Sequence, residues 1–160
     1  MSALILVLRA ATWTTVAFAL WKGDLATRIA AATYGVLEIA TMIIRPQVGV
    51  DASGETILLA ADFICAVVFL LLAVRYANLW LGAAMLFQAA QFSLHAWYLV
   101  NELPHDVMHA WINNTDDWGI LIAMFVGAVL SIRRRIGFRR EDAEREAREA
   151  ARRTRTLVAA

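Results

Sequence analysis

Residues 79–100 read LWLGAAMLFQAAQFSLHAWYLV, without one Asp, Glu, Lys or Arg. A helix of that length rises about 33 Å at 1.5 Å per residue, enough to cross a hydrocarbon layer about 30 Å thick. Gln88, Gln91 and His95 follow one another at spacings of three and four, which puts them on one face of the helix. Polar side chains are costly in hydrocarbon, so this stripe has to turn toward other helices or a water-lined cavity. The other apolar segments are then expected to be walls around it, and the fold class is an all-α polytopic transmembrane bundle.

Composition agrees. The chain has 160 residues, of which 61% are hydrophobic, and a mean hydropathy of +0.59, well away from soluble domains. The net charge of +1 hides two unlike parts: residues 1–132 hold five basic and nine acidic residues, and residues 133–160 hold ten arginines and five acids. Because the basic excess sits in a tail with acids interleaved, nucleic-acid binding is disfavoured. Cys65 is the single cysteine, which excludes an internal disulfide and the paired-cysteine metal motifs.

Working outward from residues 79–100, the apolar runs give five spans at about 3–21, 25–44, 57–74, 79–100 and 118–132. Ala17-Phe18-Ala19 resembles a signal-peptide cleavage site, but a basic leader is missing and Arg9 interrupts the apolar run, so the first segment reads as a retained helix. Arg45-Pro46 is expected to close the second span. Residues 45–56 carry Pro46, Gly49, Asp51, Ser53 and Gly54 and read as a loop. Residues 75–78 leave room only for a tight hairpin, which makes the third and fourth spans antiparallel neighbours. Residues 101–118 contain Glu102, Asp106, Asp116 and Asp117 and no Lys or Arg; they read as an acidic loop broken at Pro104, with a short interfacial helix at 107–112. Gly119, Ala123, Gly127 and Ser131 recur every fourth residue, a face on which another helix, a membrane-protein partner or a second copy can approach closely.

Lys22, Arg28, Arg75 and the tail arginines fall on one side of this layout and Arg45 on the other, so the positive-inside rule puts the N-terminus out and the C-terminus in. Trp21, Tyr76 and Trp80 would mark the inner interface, and Trp97, Tyr98, Trp111 and Trp118 the outer one. In the tail at 133–160, Glu141 and Arg145, Glu144 and Arg148, and Glu149 and Arg153 stand four apart, pairs that each add roughly 0.2–0.5 kcal/mol to a helix. The tail is expected to be a solvated cytoplasmic helix, with anionic lipid as the alternative contact.

Ionisable residues inside spans are functional-site candidates. Arg9, Glu38, Asp62 and His95 each lie five or six residues from the outer end of a span, a depth of roughly 8–9 Å, and are expected to converge with Gln88 and Gln91. On the first reading Arg9 pairs Glu38 or Asp62, the cluster fixes helix register, and the protein is an accessory or scaffold subunit. On the second, Asp62, Glu38 and His95 form a proton or ion route continued inward by Gln91 and Gln88, in a transporter or channel component. The third is a metal- or small-molecule-binding membrane enzyme, since His105 and His109 are four apart with His95 just below; the glutamate of a zinc-protease motif is missing. Cys65 and Ser93 stand in no catalytic motif, only His95 among the histidines lies in a span where haem would need two, and neither a cofactor nor an enzymatic activity is expected.

Asp62 in its apolar run, the hairpin AVRYANLW, and Gln88, Gln91 and His95 together resemble a recurring type of small bacterial multi-pass inner-membrane protein, over about residues 57–135. The long outer loop with His105 and His109 departs from that type. The resemblance implies a bacterial inner membrane and no particular activity. For the topology, a cysteine placed at Asn114 is expected to label only from outside the cell and a reporter fused after Ala160 to read as cytoplasmic; labelling of Asn114 from the cytoplasmic face would refute it.

Overall fold

The computed structural model describes residues 3–48, 52–104 and 106–159. Five α-helices account for nearly all of them: α1 (Ala3–Lys22), α2 (Leu25–Val48), α3 (Ala52–Tyr76), α4 (Leu79–Val100) and α5 (Val107–Ala159). Each helix packs on its neighbours in sequence, and α1 closes the ring against α5, which also touches α2 across the middle.

Local chemistry sets the turns. A Cβ at Gly23 would lie 2.4 Å from the Ala19 carbonyl oxygen, so only glycine fits where α1 ends. Asp24 then caps α2, its Oδ1 accepting from the Thr27 amide at 2.9 Å and the Thr27 hydroxyl at 2.7 Å, which supplies an acceptor for a helix-terminal donor. Beyond α3, Ala77 takes a left-handed conformation with φ 49° and donates its N–H to the Ala73 carbonyl at 2.9 Å. Glu102 does the same beyond α4 with φ 50°. There the N–H of Leu103 reaches Tyr98 O at 3.0 Å and that of Glu102 reaches Leu99 O at 3.3 Å, the paired bonds of a Schellman ending.

Two stretches differ from the sequence expectation. The segment expected as a loop at 45–56 is mostly helical, because α2 continues through Arg45 and Pro46 to Val48 and α3 begins at Ala52. A proline in a last turn forfeits one backbone bond, and Ser53 and Gly54 occupy a first turn whose amides lack intrahelical partners in any case; Gly49 and Asp51 lie outside the described residues. The second difference is larger. The expected short helix at 107–112, the polar residues after it, the span at 118–132 and the tail are one helix of 53 residues, about 80 Å long. No proline interrupts it after Pro104, and His109, Asn113 and Asp117 near its start are accommodated by facing the interior of the bundle.

The surface and the interior exchange their usual roles. Val36, Leu71, Val74, Leu79, Leu86 and Val100 are all more than 60% exposed, while Thr12, Gln88, Gln91, His95, His109 and Asp116 are all less than 9% exposed. Outward-facing apolar area on that scale is foreign to soluble monomers. Helices α1, α2, α3 and α5 are long and apolar enough to cross a membrane, which suggests a membrane protein. Helix α4 does not join that set on composition, since its inward stripe of Gln88, Gln91 and His95 dilutes its hydropathy.

The buried line of α4 runs Leu81, Ala84, Gln88, Gln91, His95, Tyr98, alternating spacings of three and four that form a continuous seam. The small-residue face of α5 meets this helix: a Cβ on Gly119 would sit 2.6 Å from the Phe87 ring, and one on Gly127 2.4 Å from Trp80. Ser131 Oγ lies 3.3 Å from Thr27 Oγ1 of α2. A partner using Gly119, Ala123, Gly127 and Ser131 would therefore have to displace the chain's own rings. At the same end, Arg134 donates to Asn78 Oδ1 and Arg135 to the Gly23 carbonyl, both at 2.9 Å, so the first tail arginines latch both hairpin turns. Gly127→Leu is expected to destabilise the fold by about 1–3 kcal/mol through overpacking, read as a lower unfolding midpoint in detergent. Gly82→Ala, where an added Cβ meets nothing within 4 Å, should leave the midpoint unchanged or raise it.

Candidate functional site

At the end of the bundle that carries the α4–α5 turn, opposite Arg134 and Arg135, the five helices surround a cavity of about 480 Å³. Its polar lining is drawn from every helix. Arg9 and Thr12 come from α1, Tyr34, Glu38 and Thr41 from α2, and Asp62 from α3. Gln91 and His95 come from α4, and His109, Asn113 and Asp117 from α5, with Asp106 at its start. Among the described lining residues four carboxyl groups outnumber one guanidinium, so this part of the wall is acidic.

Asp62 is the most heavily bonded of these groups. Its Oδ1 accepts from Gln88 Nε2 at 2.9 Å, and its Oδ2 pairs with Nδ1 of His95. An ionised carboxylate offers only lone pairs, so Gln88 must present its amide nitrogen and His95 its Nδ1–H. His109 lies beside His95, with ring centres 5.3 Å apart, and Tyr98 meets His109 edge-on at 4.6 Å. Deeper in, Gln91 Nε2 donates to Asn113 Oδ1 at 3.1 Å and to Asp117 Oδ1 at 3.2 Å, joining α4 to α5.

Of the residues singled out from sequence, Arg9, Glu38, Asp62, Gln91, His95 and His109 line the cavity, and Gln88 supports Asp62 from the side of the apolar core. Asp62 is bonded to α4 and not to Arg9. The ring order explains this: α3 packs on α2 and α4, whereas α1 packs on α2 and α5, which keeps Arg9 across the cavity from Asp62. Among the metal candidates, His105 lies outside the described residues, and no three His, Cys, Asp or Glu side chains among the described residues converge as a metal site would need. Ser93 is exposed and donates to the Ala89 carbonyl at 2.8 Å, and Cys65 is buried away from the large cavity.

Sequence reasoning named His109 but missed Asn113 and Asp117 on the α5 wall, because most of residues 101–118 read as a loop. Its signal was present: His109, Asn113 and Asp117 stand four apart, which is a helical face.

Asp106 closes the α5 end of the cavity. Its Oδ1 accepts the His109 backbone N–H and the Tyr98 hydroxyl, each at 2.8 Å, and these two bonds hold its carboxyl below the ordinary carboxylate value. A depressed folded pKa means that the stabilisation is fully present above the unfolded value, about 4, and is lost as pH falls through the folded value. Hydrogen exchange in the first turn of α5 is expected to accelerate on acidification below about pH 4, and Asp106→Ala should make it fast at neutral pH. Asp106→Asn, which keeps the capping oxygen, should restore protection and abolish the acid dependence.

Comparison with family models, with curated proteins and with solved structures finds no match for this chain.

Proposed function

We propose that this chain is a small multi-pass membrane protein that binds a small polar solute in the acidic cavity, and that the Asp62–His95 pair carries a proton exchanged as the solute binds, as in a proton-coupled transporter or a component of one. The cavity itself carries the reading. A polar cluster that served only to fix helix register would close on itself. Here groups from all five helices face about 480 Å³ of space, within the roughly 300–1,000 Å³ range of small-molecule sites. An accessory or scaffold subunit needs helices and a partner surface but no such cavity, and falls to second place.

In this reading α4 is a fifth span despite its polar stripe, because the stripe is turned inward. The turn at 101–106 lies outside and the arginine tail inside, so the cavity occupies the outer half of a membrane, the bacterial inner membrane in keeping with the resemblance noted above. Solute enters from the outer face. Glu38 and Asp117 supply carboxyl groups, and Arg9 supplies a guanidinium among the described lining residues. When His95 Nε2 takes a proton, the imidazolium stays paired with Asp62, whose orientation Gln88 holds; a cationic or donor group arriving near Asp62 competes with that proton. Toward the tail, Phe69, Leu81, Ile120 and Met124, all fully buried, form an apolar layer that separates the cavity from the cytoplasmic end, so passage inward requires the helices to move.

Protein purified in mild detergent and extracted for mass spectrometry is expected to carry a small polar solute that Asp62→Asn and Glu38→Gln lose while remaining folded. In proteoliposomes, uptake of that solute should follow an imposed pH gradient and stop with Asp62→Asn. A wild-type protein that carries no solute and co-purifies with a membrane partner would return the accessory reading to first place.

A further inference from the structure

Below the large cavity, toward the apolar layer, lies a smaller pocket of about 50 Å³ whose wall includes Tyr34, Glu38, Asp62, Cys65, Gln88 and Asp117. Three of these bring carboxyl groups. Gln88 brings a carbonyl: its amide nitrogen is committed to Asp62 Oδ1 at 2.9 Å, an orientation required because the ionised carboxylate can only accept. The residue is 2% exposed, and its Oε1 is buried and receives no hydrogen bond from any described residue. Native interiors rarely leave such an oxygen without a donor. The pocket is thus lined by three carboxyl groups and by Gln88, whose carbonyl is directed away from the amide nitrogen that Asp62 holds.

A guest matched to that wall is positively charged and rich in N–H donors. The space admits a group of a few heavy atoms. A divalent metal fits poorly, since no three His, Cys, Asp or Glu side chains among the described residues converge. A primary ammonium offers three donors directed apart, matching acceptors that stand on α2, α3, α4 and α5. We propose that this inner pocket takes the primary ammonium group of a small amine, whose carbon body lies in the larger cavity against Leu8, Met42 and Leu58. The proposal rests on the solute-binding reading above and names the class of solute.

Thermal unfolding of the purified full chain in detergent tests it with n-butylammonium, tetramethylammonium, n-butanol and sodium chloride at matched concentration and ionic strength. Butylammonium is expected to raise the midpoint, and the other three to leave it unchanged, because tetramethylammonium lacks N–H donors, butanol lacks charge and sodium lacks both donors and a carbon body. Gln88→Met is expected to weaken butylammonium binding about tenfold, the loss of one charge-assisted hydrogen bond; should that variant fail to fold, the four-probe comparison on wild type still decides. An equal response to tetramethylammonium or to sodium would overturn the assignment, as would no response to butylammonium. If butylammonium fails while the solute extracted from the wild type is neutral or anionic and depends on Asp62, the ammonium assignment falls and the solute-binding reading stands. If butylammonium fails and nothing is extracted, both fall.

Discussion

A carboxylate carried on an apolar helix has to find its partners within the protein, and Asp62 finds both of its partners on α4. Leaving one such group buried and unsatisfied costs more than a typical hydrogen bond gains, about 1–3 kcal/mol for a neutral group and more for a charged one. That asymmetry dictates the rotation of α3 about its own axis, since only one setting points Asp62 at Gln88 and His95. The same setting turns Val67, Leu70, Leu71 and Val74 to the outside. Helix α4 is fixed in turn: with Gln88 and His95 held by Asp62, Gln91 lies between them in the seam and meets Asn113 and Asp117 of α5. The polar stripe is therefore the device that sets the register of three helices around a space, and the apolar exterior follows from it.

The division between what can and cannot be read from the chain follows the range of the interactions involved. The inward direction of the α4 stripe was legible because it depends on helical spacing and on the cost of polar groups in hydrocarbon. So was the hairpin between α3 and α4, where a short connection leaves one geometry. The starts of α2 and α5 carry acidic caps, and α4 begins and ends at the expected residues 79 and 100, although Ala77 and Glu102, not glycines, take the left-handed conformation beyond α3 and α4. The continuity of α5 through residues 113–117 escaped for a reason of its own. Asn113, Asn114, Asp116 and Asp117 are residues that favour loops when they face water, and only a cavity on the other side of the ring makes a helix of them. Partner choice within the cluster is likewise a property of the ring order: local spacing does not reveal that α1 is held apart from α3.

The two ends of the bundle are built by opposite means. At the arginine end, side chains reach across to backbone and amide oxygens, and rings lie directly on glycine, so little space remains between helices. At the other end the helices carry side chains that attract one another only in part. Among the described lining residues four carboxyl groups stand with one guanidinium and two imidazoles around open space.

The length of α5 has a mechanical meaning. His109, Asn113 and Asp117 at one end and Arg134 and Arg135 near its middle belong to one rod without a proline, and more than 20 residues continue past the arginines to Ala159. A twist applied to the distal part is transmitted along the rod as rotation, so the carboxylate of Asp117 and the ring of His109 swing with it. The two latches onto Asn78 and Gly23 serve as the bearing in which that rod is seated. Whatever grips the far end of the helix therefore holds a handle on the wall of the cavity.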